Sequence, residues 1–198
     1  TQRRRFIQRL DHELKNPLMA IRAGLANVMG DAPVANSQEV LKRIEGSVLR
    51  IGRLVTDLRK LADVETRPPE LTPVDVGELL RGAVDEVRQQ TGVPERRILL
   101  GVPPQTWALP AIIGDSDMLF VAFYNLIQNA VKFTGTDDTV EVRASEVSRF
   151  VLVEVVDNGP GVVEADLPHL GEDLYRGQKA LGLPGTGLGL ALVRIIVD

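Results

Sequence analysis

Residues 7–28 read Ile7-Gln8-Arg9-Leu10-Asp11-His12-Glu13-Leu14-Lys15-Asn16-Pro17-Leu18-Met19-Ala20-Ile21-Arg22-Ala23-Gly24-Leu25-Ala26-Asn27-Val28. Apolar side chains at Ile7, Leu10, Leu14, Leu18, Ile21, Leu25 and Val28 fall alternately three and four apart, the heptad-like spacing of a helical seam. A second seam runs through Val40, Ile44, Val48, Ile51, Leu54 or Val55, Leu58 and Leu61. The stretch Gly30–Ser37 between them is rich in helix breakers, and Ser37 is the expected N-cap of the second helix. Two helices joined by a short connection predict an antiparallel hairpin. A lone hairpin has too small a core, so two copies are expected to form a four-helix bundle.

His12, one of only 2 histidines, stands between Asp11 and Glu13. Neutral imidazole has a free lone pair near physiological pH, which makes His12 a candidate nucleophile. Pro17 removes one backbone hydrogen bond and predicts a kink one turn later. A bend there would expose or reposition His12.

Composition narrows the alternatives. The 198 residues suffice for one large domain or two small ones. A formal charge of −4 gives no case for bulk nucleic-acid binding. With no cysteine there are no disulfides or thiolate metal sites, and a reducing compartment fits. Two distant histidines make no metal cluster, which removes the metal-hydrolase reading. No apolar run approaches the roughly 18 residues of a membrane span, and no signal peptide is visible. The run Arg3-Arg4-Arg5 reads as a solvated helix face, or as the point where a longer parent is cut.

Beyond the hairpin, Arg67-Pro68-Pro69-Glu70 reads as a hinge between domains. Residues 76–87 have a helical pattern, 97–102 a strand pattern, and 115–133 a strongly helical one. Residues 139–147 and 149–157 alternate like a β-hairpin turning near Ser148. A Gly-rich stretch from Leu181 to Gly189 leads into a last helix. The expected fold is α+β: an N-terminal antiparallel helical hairpin, then an α/β sandwich with a mixed, mainly antiparallel sheet. The boundaries are 1–66 for the hairpin, 67–74 for a linker and 75–198 for the second domain.

Three blocks in the second domain carry chemistry. Asn125 and Asn129 share one helix face, with Lys132 one step further along it. Amide oxygens suit Mg²⁺, amide hydrogens suit phosphate, and lysine adds positive charge. Asp157-Asn158-Gly159-Pro160-Gly161 puts a carboxylate at a strand end, able to accept from adenine's amino group, beside glycines that let a base approach. Gly185-Thr186-Gly187-Leu188-Gly189 precedes a helix, whose free amides and dipole favour phosphate. It fits neither the Walker pattern nor the dinucleotide fingerprint. Taken singly, the three are a polar helix face, a β-turn and a glycine-rich turn. Their order after the His12 hairpin is far more specific.

In that order the chain resembles the sensor histidine kinases of two-component systems, over nearly its whole length. His12–Pro17 is similar to their phosphoacceptor box, Asn125–Lys132 to the N box, Asp157–Gly161 and Gly185–Gly189 to the two glycine boxes. Leu71-Thr72-Pro73-Val74-Asp75 resembles the usual lead into the catalytic domain. The resemblance implies ATP-dependent autophosphorylation of His12 and transfer to an aspartate of a response regulator, with phosphatase activity toward that regulator as a further expectation. It also implies a homodimer, ATP and Mg²⁺, and a cytoplasmic location, as the inner part of a membrane-anchored sensor.

Roles follow from the same resemblance. His12 is the nucleophile, and Glu13 orients its ring and accepts its other N–H. Asn16 places water for dephosphorylation. Asn129 is the expected Mg²⁺ ligand, with Asn125 and Lys132 near the phosphates. Asp157 reads adenine, Gly159 and Gly161 shape the base pocket, and Gly185, Gly187 and Gly189 flank the phosphates. Residues 166–177 match the family's lid. There Gly171 and Leu174 replace the usual phenylalanines, which predicts weaker lid packing on the catalytic domain, partly relieved by Tyr175. Arg176 is within reach of phosphate but reads as an exposed arginine, and His169 as a surface residue. The sequence stops at Asp198, inside the last helical pattern, where family members continue into further strands, so truncation is expected. Two other classes fit less of the chain: a non-catalytic dimeric scaffold, and a gyrase-like or chaperone-type ATPase, which would not need the His12 hairpin.

Overall fold

The structure is a computed structural model that describes residues 2–29, 34–91, 97–102, 109–135, 137–180 and 183–197. Helix α1 spans Gln2–Met29 and α2 spans Val34–Thr66. They pack antiparallel: Glu13 meets Arg50, and Gly24 lies against Val40 and Ile44. At Gly24 a Cβ would stand 2.8 Å from Ile44 Cγ1, so the missing side chain is what allows the close approach. The helix runs on through Pro17, whose side chain is buried.

Ser37 is not the N-cap. Helix α2 starts at Val34, one turn earlier, because Val34 and Ala35 are themselves compatible with helix. Gly30–Pro33, the rest of the expected connection, lies outside the described residues.

The second unit follows the predicted element order. Helix α3 spans Val76–Thr91, β2 Arg97–Gly101, α4 Ser116–Phe133, β4 Thr139–Val147, β5 Phe150–Asp157 and α5 Gly189–Val197. Two short strands had no recognisable pattern: β1, Thr72–Val74, falls in the expected linker and pairs antiparallel with β3, Ile112–Gly114. The main sheet has the order β2-β4-β5, parallel between β2 and β4 and antiparallel between β4 and β5. Ser148 turns the hairpin with φ 57°.

One face of this sheet is covered. Along β4, Val140, Val142 and Ala144 alternate inward. They meet Val76, Leu80, Val84 and Val87 of α3 and Phe123, Ile127 and Val131 of α4. Each such buried aliphatic contributes about 1.5–3 kcal/mol relative to exposure. A second core joins the two units. Leu188, just before α5, Leu192 of α5 and Leu174 of the lid pack on Leu54 and Leu61 of α2, with Phe6, Leu10 and Leu14 of α1 at the edge.

Asp115 organises the junction. Its buried carboxylate caps α4 by accepting from Asp117 N and Met118 N at 3.1 and 3.0 Å. It also accepts from Glu70 N at 2.9 Å and pairs with Arg67 at 2.7 Å. These bonds, led by that from Glu70, hold its carboxyl below the usual carboxylate range despite burial. A depressed carboxylate stabilises the fold above its unfolded pKa of about 3.9 and loses that contribution as pH falls through the lower folded value. Asp115→Ala is expected to cost about 1–2 kcal/mol at neutral pH, less in strong acid, as read by denaturant melts at pH 7 and pH 3.

Candidate active site

One cavity of about 1120 Å³ gathers the three chemical blocks. Asn125, Asn129 and Lys132 line it from α4, Asp157 and Gly161 from the end of β5, and Gly185, Gly187 and Gly189 from the loop before α5. Gly159 lies beside the cavity rather than on its wall. A Cβ there would meet Asp157 Oδ1 at 2.8 Å and Phe133 O at 2.9 Å. Asp157 Oδ1 accepts from Gly159 N at 3.0 Å, and its other oxygen has no hydrogen bond among the described residues, so it is open to a donor such as an amino group.

The glycine loop is pressed against α4. A Cβ on Gly185 would come within 2.5 Å of Lys132 Nζ, and one on Gly189 within 2.9 Å of Asn125 Oδ1. Asn125 donates to Val121 O at 2.8 Å. Asn129 has no side-chain hydrogen bond among the described residues, so its amide oxygen is available to a cation. Burial pushes the Lys132 ammonium below its ordinary range, with Arg176 and Arg53 adding like-charge repulsion.

His12, Glu13 and Asn16 do not line this cavity. His12 is exposed, and its Nδ1 lies 3.1 Å from Asn16 Nδ2. Glu13 does not hold the ring in this structure; its carboxylate pairs with Arg50 at 2.7 Å. The reason is helical geometry. Neighbours at i and i+1 diverge by about 100°, so Glu13 faces α2, whereas Asn16, at i+4, faces His12. With the Asn16 nitrogen donating, neutral His12 carries its proton on Nε2. With the amide turned over, Oδ1 accepts from Nδ1–H and the Nε2 lone pair is free.

The lid is held at Leu174 and Tyr175. Leu174 has φ 56° yet is only 4% exposed, anchored in the core shared with the hairpin. Part of the packing at Leu174 therefore comes from Leu54 and Leu61 of the hairpin. Tyr175 Oη donates to Asp166 at 2.7 Å, and Arg9 of α1 lies over the Tyr175 ring. Arg9 also pairs with Glu172 at 2.7 Å. Hydrogen bonds from His169 and Arg9 hold the Glu172 carboxyl down at about 2. His169 is on the surface, as expected, 3.0 Å from Glu172.

Arg176 is a correction. It is half-buried rather than exposed, because its guanidinium donates to the carbonyls of Ala180 and Leu183. Its buried Nε has no hydrogen-bond partner among the described residues. Sequence pattern also missed Thr186, whose hydroxyl donates to Asp57 of α2 at 2.5 Å. A carboxylate on an amphipathic helix gives no sign of so distant a partner.

Comparison with known proteins agrees with this layout. Residues 2–67 match the His Kinase A (phospho-acceptor) domain. Residues 114–198 match the Histidine kinase-, DNA gyrase B-, and HSP90-like ATPase family. The probable sensor histidine kinase TcrY of Mycobacterium tuberculosis is 35% identical over 98% of this chain and 41% of its own length. The full-length ShkA structure in complex with AMPPNP is 28% identical, with TM-score 0.61 over 94% of this chain and 39% of that one. Histidine kinase ThkA, solved in complex with response regulator protein TrrA, shares the fold at 18% identity, with TM-score 0.70 over 89% of this chain and 53% of that one. The chain spans about half or less of the length of the first curated relatives it matches. With both domains matched in the order the sequence presents them, the chain belongs to the sensor histidine kinases of two-component systems.

Proposed function

We propose that this chain is an ATP-dependent protein-histidine kinase that phosphorylates His12 and passes the group to an aspartate of a response regulator. The observation that carries this reading is the single cavity formed by the N-box face, Asp157 and the glycine loop, docked on a hairpin that presents a histidine. In the transfer, a ring nitrogen of His12 bonds to the γ-phosphorus. The bond from that phosphorus to its bridging oxygen breaks, and its electron pair leaves with ADP.

The residues divide the work. Asp157 accepts from adenine, with Gly159 and Gly161 keeping the base site open. Lys132 and Asn125 lie toward the phosphates, with Gly185, Gly187 and Gly189 flanking them. Asn129 suits Mg²⁺, a hard cation that takes oxygen ligands. When bound, that ion neutralises phosphate charge; the protein's share is positioning. Asn16 selects the ring tautomer of His12 and also suits placing water for dephosphorylation of the regulator. Glu13 acts on His12 only after its pair with Arg50 opens. Because His12 lies off the cavity wall, transfer requires redocking along the hairpin or a His12 from the second copy.

We propose residues 1–66 as the phosphoacceptor hairpin, 67–74 as the linker and 75–198 as the ATP-binding domain. Ile7, Leu18, Met19, Leu25, Val48 and Val55 are exposed on the hairpin, which supports a homodimer. No described helix is long and apolar enough to cross a membrane. A kinase of this kind draws on cytoplasmic ATP, and we assign this part of the protein there. The test is incubation of the chain with γ-labelled ATP and Mg²⁺. Label that is lost in acid and kept in base is the expected result; an unlabelled chain would overturn the reading.

A further inference from the structure

Three cations of the cavity wall form no ion pair among the described residues. Lys132 comes from α4, Arg176 from the lid and Arg53 from α2. The carboxylates on the same wall do not pair with these cations among the described residues. Asp57 accepts from Thr186, Asp166 from Tyr175 and Gln178 N, Asp157 from Gly159 N, and Glu172 is held by Arg9 and His169. Such a wall is costly to assemble and suits a ligand of high negative charge. Burial and the neighbouring cations both disfavour the charged form of Lys132, and an anion between them would relieve that repulsion.

We propose that Arg53, on the second hairpin helix, is a ligand for the terminal phosphate of the bound nucleotide, so that the hairpin itself completes the phosphate site. The inference rests on the nucleotide reading of the cavity given above. Its own support is geometric. Asp57 lies one turn after Arg53 on the same face of α2 and grips Thr186 between Gly185 and Gly187. That contact lays the Arg53 face along the loop assigned to the phosphates. Arg53 spends its Nε on Leu49 O of its own helix at 3.3 Å, which leaves both terminal nitrogens for a fork contact with phosphate oxygens. Gly52 beside it also lines the cavity and has no side chain to fill the space. Asp157 fixes the base at the tip of β5. The phosphate that reaches α2, on the domain carrying the acceptor histidine, is therefore the transferable one. Nucleotide binding then strengthens docking of the hairpin on the ATP-binding domain, and hairpin movement alters affinity for ATP more than for ADP.

The test is calorimetric titration of the whole chain with Mg²⁺-ATP and with Mg²⁺-ADP. Arg53→Gln is expected to weaken ATP binding roughly tenfold and ADP binding less than about twofold, with Arg53→Lys between wild type and Arg53→Gln. Arg53 is exposed in the sequence of α2, and an unchanged thermal melt checks that the variant folds. If Arg53→Gln shifts both nucleotides equally, or neither, the inference is overturned while the cavity reading stands. If wild type binds neither nucleotide, or Asp157→Asn leaves both affinities unchanged, the cavity reading falls and this inference with it.

Discussion

His12→Gln is expected to leave no acid-labile label on the chain, a fall of at least about three orders of magnitude, with ATP affinity within about twofold of wild type. The two halves of that expectation come from separate observations. An amide nitrogen has no basic lone pair, so glutamine cannot replace imidazole as the acceptor. The histidine is exposed, and among the described residues its side-chain hydrogen bond is with Asn16 at 3.1 Å, so little packing is lost. It does not line the cavity, so binding has no reason to change. Labelling of wild type and variant, paired with calorimetry on both, measures the two halves together. Full label on the variant would move the acceptor elsewhere. Loss of ATP binding would contradict the separation of His12 from the cavity.

Gly187→Ala is expected to destabilise the chain by about 2–4 kcal/mol, whereas Gly161→Ala should cost only about 1 kcal/mol. Both glycines have positive φ, 81° and 66°, so both substitutions carry the backbone penalty. Only one meets an obstacle. A Cβ on Gly187 would stand 2.7 Å from Tyr175 O and 2.9 Å from Leu174 C, while one on Gly161 finds nothing within 4 Å. Backbone atoms cannot rotate aside as a side-chain tip does. Leu174 is already in a left-handed conformation and pinned in the shared core, so it has little freedom to yield. Denaturant melts of the two variants compare the effects directly. Equal destabilisation would show that the lid gives way freely.

The sequence made the long elements legible because their periods are strong. The seams of α1 and α2, the helix of the N box and the alternation of β4 and β5 each run for several repeats. Strands β1 and β3 have 3 residues each, too few for a period of two to register. The nucleotide blocks were legible as a set, since their order and spacing are specific even where each is common alone. What escaped was the choice of partners. Glu13 was read as a partner of His12, but helix geometry turns it toward Arg50. Sequence pattern leaves Arg176 exposed, but the carbonyls of Ala180 and Leu183 draw it inward. Leu174 looked like a lost ring and is an anchor, since packing depends on the hairpin surface that meets it. Such pairings are fixed by tertiary contact, which a local pattern does not encode.

The proline inside α1 has a mechanical consequence. Proline has no N–H, so the carbonyl of Glu13 lacks its usual helical donor at Pro17. One rung is missing from a helix of 28 residues, and the bending compliance of α1 is concentrated there. The helix then behaves as two shorter rods with a soft joint. Its first rod bears His12 and the Arg9 contact to the lid; its second bears Gly24, which packs closely on Val40 and Ile44 of α2. A bend imposed on the first rod is taken up at the joint, one turn from His12, before it reaches the second rod.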